Sequence, residues 1–159
     1  MKLLLLLLSI TQTFCWAAPP VAQVRAELVK WEGYRLVPYR DGVSFCVGIG
    51  HNLTAHGRPV RRYAAVEVER LFMQDFSVAL DSCRKGIEDF DSLPVNLQIL
   101  CISVHWGVGR TGFARFHDFR LAMSHRAYLL AASELRLSKW ATQVSRARRD
   151  HHVALLNAQ

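Results

Sequence analysis

The chain has 159 residues, a net charge of +7 and a pI near 9.7. Its length and ordinary globular composition give one domain, or two lobes sharing a long helix, with enough apolar side chains to bury a sizeable core. The positive balance suits acidic polymers, whether nucleic acid, anionic membranes or bacterial wall material. The basic residues are scattered apart from Arg146, Arg148 and Arg149. With no basic–aromatic stripe and no nucleic-acid motif, nucleic acid is not an expected partner.

Lys2 is followed by residues 3 to 10, apolar except for Ser9, and Ala17-Ala18 supply small residues ahead of Pro19-Pro20. This is the pattern of an export signal cleaved after Ala17. The alternative is retention: residues 3 to 22 form an apolar stretch interrupted mainly by Thr11-Gln12-Thr13, near the ~20 residues that cross a bilayer. The expected organisation is a signal peptide or signal-anchor over residues 1–18 and one folded domain over residues 19–159. Export permits disulfides. Of Cys15, Cys46, Cys83 and Cys101, cleavage would remove the first and leave an odd number. No Cys-x-x-Cys occurs, so no metal site is expected. Cys83 and Cys101 fall in apolar helical patterns and read as buried thiols.

Residues 21 to 32 read as a helix with Val24, Leu28 and Trp31 on one face and Gly33 as its stop. Glu32 then sits in the last turn, at the negative end of the helix dipole, which favours the protonated carboxyl. A general acid starts from that state. Taken alone, such a glutamate is more often an exposed surface residue. Residues 34 to 40 and 43 to 49 alternate as strands around an Asp41-Gly42 turn. Val43, Phe45, Val47 and Ile49 form the expected core face. Ser44, Cys46, Gly48 and Gly50 form a small-residued face that a ligand could approach closely. Glu32 and Asp41 are thereby held on a helix end and a hairpin, the kind of carboxylate pair that glycoside hydrolysis uses.

Residues 52 to 63 read as loop. A long helix is expected over residues 64 to 83, with Val68, Leu71, Phe72, Phe76, Ala79, Leu80 and Cys83 at helical spacing. A strongly apolar helix over residues 95 to 106 forms the core of a larger lobe and is broken by Gly107, Gly109 and Thr111-Gly112. Shorter helices are expected at about 113 to 124, 126 to 136 and 144 to 156.

Glu32, eight residues, Asp41, four residues, Cys46 and then Val47-Gly48-Ile49-Gly50-His51 resemble the signature of phage-type lysozymes, the endolysins of glycoside hydrolase family 24. Residues 67 to 75 resemble that family's interlobe helix. Residues 103 to 112 resemble its segment facing the cleft, and Trp140, Gln143 and residues 146 to 149 its C-terminal signature. The resemblance covers roughly residues 24 to 153. It implies an α+β, mostly α, lysozyme-like fold: a small β-hairpin lobe and a larger helical lobe joined by a long helix, with a cleft between them. It implies a monomeric muramidase without cofactor or metal, exported to the periplasm or wall, or tethered there through residues 3 to 22. Its partner would be peptidoglycan, cut between N-acetylmuramic acid and N-acetylglucosamine for phage-driven lysis. Glu32 would be the acid. Asp41 would position or activate a water, or steady the developing charge. Gly48, Gly50, Trp106, Gly107 and Arg146 would bind substrate or support the site, with Arg146 pairing with Glu32 and its charge opposing the shift toward the protonated carboxyl.

Three departures from the family stand out. Cys46 replaces its threonine, and a thiol donates and accepts hydrogen bonds poorly. The expectation is slower hydrolysis, or a route in which a thiolate takes part. The spacing from Asp41 to Cys46 is one residue short, and the loop after His51 is trimmed. Gly107 also stands where a polar, cleft-facing side chain is common. His51 is expected to pair with Asp75, tying the hairpin to the long helix. Cys46 also motivates a second function class, a catalytically weak or silent peptidoglycan-binding protein. If the N-terminal segment is retained, Cys15 could pair with Cys46 and block the site, as in the family's signal-arrest-release endolysins.

Overall fold

Residues 18–159 are described by the computed structural model of the protein. The expected signal or anchor segment lies outside the described residues apart from its last few positions, and Cys15 lies outside them. Pro19 is buried and Pro20 caps helix α1 (Val21–Glu32), whose Val24 and Leu28 are fully buried. Helix α1 ends at Gly33, as its sequence predicts.

Three strands follow: β1 (Arg35–Asp41), β2 (Ser44–Gly48) and β3 (His51–Asn52), antiparallel in the order β1-β2-β3. The turn falls on Gly42-Val43, between the paired Asp41 and Ser44, one residue later than expected. Gly42 adopts φ 58°, which glycine takes without steric cost. This shift corrects the expected core face: Val43 is at the tip and 97% exposed, whereas Val47 and Ile49 are buried. Between Arg35, opposite Gly48, and Tyr39, opposite Cys46, strand β1 is irregular. Pro38 lies in that stretch, where it has no ladder hydrogen bond to give. Strand β3 replaces the start of the expected loop; two residues are too few to show periodicity.

Helix α2 (Ala65–Gly86) is the long helix, and it runs three residues past its expected end at Cys83. The Glu67 carboxylate accepts the Ala64 N–H at 2.8 Å, closing the first turn. Val68 and Leu71 of α2 pack with Val47, Leu53 and Tyr63 in a small core under the sheet. Phe72, Phe76, Ala79 and Cys83 pack in a second, larger core. One helix thus belongs to both cores.

The larger core is built around helix α3 (Val95–Arg115), with Leu97, Leu100, Cys101, Ile102 and Val104 buried. Gly107 and Thr111-Gly112 do not end this helix, although its sequence predicts a break there. The expected break falls at Gly109, whose φ of 68° and ψ of 176° are non-helical and divide two helical stretches across a kink. Helices α4 (His117–Ser124), α5 (Tyr128–Leu137), α6 (Lys139–Gln143) and α7 (Arg146–Asn157) close the core, α6 supplying the fully buried Trp140. The fold is α+β and mostly α, as expected. Cys83 and Cys101 are buried free thiols, also as expected. Among the described residues no helix is long and apolar enough to cross a membrane.

Candidate active site

Glu32 lies at the C-terminal end of α1 and is paired with an arginine of the last helix. That arginine is Arg148, not the expected Arg146. The Arg148 Nη1 donates to Glu32 Oε1 at 2.6 Å, and Arg148 is 5% exposed. The Arg146 side chain is 86% exposed and, among the described residues, pairs only with Asp150, at 3.4 Å. The two positions are separated by about 200° around the helix axis, so only one can face the core. The Ser145 side chain caps α7 by accepting the Arg148 N–H at 3.2 Å, and the buried His152, Val153 and Leu156 place Arg148 on the face turned to the core.

Arg148 is held on several sides. Its Nη2 donates to the Ser103 carbonyl and to Ser103 Oγ, both at 3.1 Å. Its guanidinium lies 5.9 Å from the centre of the Trp140 ring. His152 Nε2 is 3.0 Å from Ser103 Oγ, and His152 Nδ1 is 2.9 Å from the Arg148 carbonyl. That carbonyl only accepts, so Nδ1 carries the proton and Nε2 accepts from the serine hydroxyl. Burial, with the Arg148 charge in support, pushes His152 down to about 3 and keeps it neutral. Glu32 Oε2, by contrast, has no hydrogen bond from the described residues. Ser103 and Arg148 lie in the two stretches expected near the cleft but were not expected as site residues, and His152 lies outside both. Their signal is the helical step of four from Arg148 to His152, on the face that also buries Val153 and Leu156.

The hairpin supplies the rest. Asp41 is exposed at the end of β1. Cys46 is 4% exposed on β2. Burial first, then the charges of Asp41 and Glu32, push the Cys46 thiol up. A thiol so placed stays protonated near neutral pH, which opposes the thiolate route. Tyr39, opposite Cys46 in the ladder, is pushed up by burial, then by Cys46, Glu32 and Asp41. Three residues expected in the site and one that was not therefore share one electrostatic neighbourhood.

The remaining expected site residues brace this arrangement. A Cβ on Gly48 would lie 2.6 Å from Val68 Cγ1, and Gly48 has φ 66°. The close approach at Gly48 is made by α2, which corrects its reading as a ligand-facing position. A Cβ on Gly107 would lie 2.9 Å from Trp140 Nε1, so this position faces the tryptophan beneath Arg148. Trp106 donates its Nε1–H to the Ile49 carbonyl at 2.7 Å, tying α3 to the sheet. Gly50 and Trp106 both line a cavity of about 410 Å³ with Asn52, Asp75, His105 and Arg110. His51 Nδ1 is 2.8 Å from Asp75 Oδ2, the expected tie between sheet and α2. The His56 ring stacks on His51 at 4.7 Å and 17°. One ligand atom from each of His51, His56 and Asp75 lies within 4.8 Å of the others, so the trio both ties β3 to α2 and gathers three donors.

The chain matches no protein-family model, and no curated protein is significantly similar to it.

Proposed function

We propose that the protein is an exported muramidase that hydrolyses the peptidoglycan glycan strand between N-acetylmuramic acid and N-acetylglucosamine, for phage-driven lysis. The observation that carries this reading is the state of Glu32. One of its oxygens is fixed by a buried arginine, the other has no hydrogen bond from the described residues, and the hairpin carrying Asp41 is within electrostatic reach. Glu32 gives its proton to the glycosidic oxygen as the bond to the anomeric carbon breaks. Asp41 positions or activates the incoming water, or steadies the oxocarbenium charge. The net charge of +7 favours approach to an anionic wall. The buried Cys46, with its protonated thiol, supports a second reading, a weak or silent glycan-binding relative. Reducing ends released from purified peptidoglycan separate the two. The first reading predicts release by the parent and a loss of about 100-fold or more in Glu32→Gln, the usual range for an acid catalyst. Binding with no release supports the second.

A further inference from the structure

We propose that Tyr39 is a catalytic residue of this site, its phenol oxygen holding the attacking water in place of the neighbouring Cys46 thiol. The inference rests on the muramidase reading and deepens it. Tyr39 and Cys46 are opposed residues of β1 and β2, in the regular part of the ladder that continues through Arg40–Phe45 to Asp41–Ser44. Opposed side chains share one face, with Cβ atoms about 4.5–5.5 Å apart. Asp41, two residues beyond Tyr39, points to that same face. The charge of Glu32 also reaches Tyr39. Tyr39 thus shares a face with the second carboxylate and the thiol, and lies within electrostatic reach of the acid.

A water that adds to an anomeric carbon needs both O–H bonds directed away from it, so that a lone pair faces the carbon. Asp41 accepts one of them. Cys46 accepts poorly, as thiols do, and its proton stays in place. Two hydroxyls stand on that face, Ser44 opposite Asp41 and Tyr39 opposite Cys46, so the phenol oxygen of Tyr39 is the good acceptor paired with the thiol; among the described residues its hydroxyl makes no hydrogen bond. Its ring is fixed by the Arg35 guanidinium, 4.6 Å from the ring centre. In the step, the new C–O bond forms from water as the glycosidic C–O bond breaks. Glu32 protonates the departing oxygen, Asp41 takes one water proton, and Tyr39 keeps its own.

Initial rates of reducing-end release from peptidoglycan, over a range of substrate concentrations, test this with the parent, Tyr39→Phe, Cys46→Thr and the double variant. Tyr39→Phe should lower kcat about tenfold or more with little change in KM, the effect of one lost hydrogen bond at the reacting centre. Cys46→Thr restores a hydroxyl beside the water, so in that background Tyr39→Phe should cost less than about threefold. Cys46→Ser serves the same purpose if the threonine does not fit. A Tyr39→Phe rate equal to the parent's, an equal loss in both backgrounds, or a change in KM alone overturns the proposal. A parent that releases no reducing ends overturns the muramidase reading and this inference with it. An active, Glu32-dependent parent with an unaffected Tyr39→Phe overturns only the role of Tyr39.

Discussion

Arg148 is a buried cation whose partners can all be named: Glu32, both oxygens of Ser103, and the face of Trp140. Removing one member of such a set strands the others away from water. Arg148→Ala should therefore cost about 3–5 kcal/mol in urea unfolding. Arg146→Ala, on the exposed side of the same helix, should stay within about 0.5 kcal/mol. Two buried histidines add a pH dependence. Burial holds His105 down at about 4 and His152 at about 3, both below the ordinary histidine range. Each binds a proton more readily in the unfolded chain, so their contribution to stability is present above about 6.5 and is lost as the pH falls. The loss continues down to about 4 for His105 and about 3 for His152. Unfolding midpoints at pH 7, 5.5 and 4.5 should fall in that order, and His105→Gln should flatten the trend. Glu32 and Asp41 were legible in the sequence because a glycine stop and an Asp-Gly turn mark their positions. The arginine partner was harder to read: a cluster of arginines falls on one helix, and Arg148 is singled out only by sharing the face of His152, Val153 and Leu156.

At the scale of elements, strand β2 and helix α2 fit together because position 48 has no side chain. Val68 Cγ1 fills the space that a Cβ would need, and the backbone there has φ 66°. Gly48→Ala should cost about 1–3 kcal/mol through overpacking, with added strain from the backbone conformation. Chemical denaturation measures the loss. Gly42→Ala meets no neighbour and leaves only the turn conformation strained, so its cost should be smaller. The long helices were legible from their apolar spacing, and α1 matches its expected bounds, Val21–Glu32. Short elements were not: β3 has two residues and α6 five, less than the repeat needed to show a period. The break expected at the glycines of α3 falls at Gly109, whose backbone is non-helical, while Gly107 and Thr111-Gly112 stay in helical stretches on either side.

For the molecule as a whole, the two cores meet in α2, and the candidate site is assembled from distant parts of the chain. Helix α1 gives Glu32, the hairpin gives Asp41, Tyr39 and Cys46, and α7 gives Arg148. A function that depends on this assembly is lost when the acid is removed, even if every element stays folded. Glu32→Gln preserves shape and an acceptor for Arg148, so its fold should be retained by circular dichroism while its chemistry is not. The most direct measurement is the release of reducing ends from purified peptidoglycan by the parent and by Glu32→Gln at equal concentration. The account predicts steady release by the parent and a fall of about 100-fold or more in the variant. Equal release by the two proteins would contradict it.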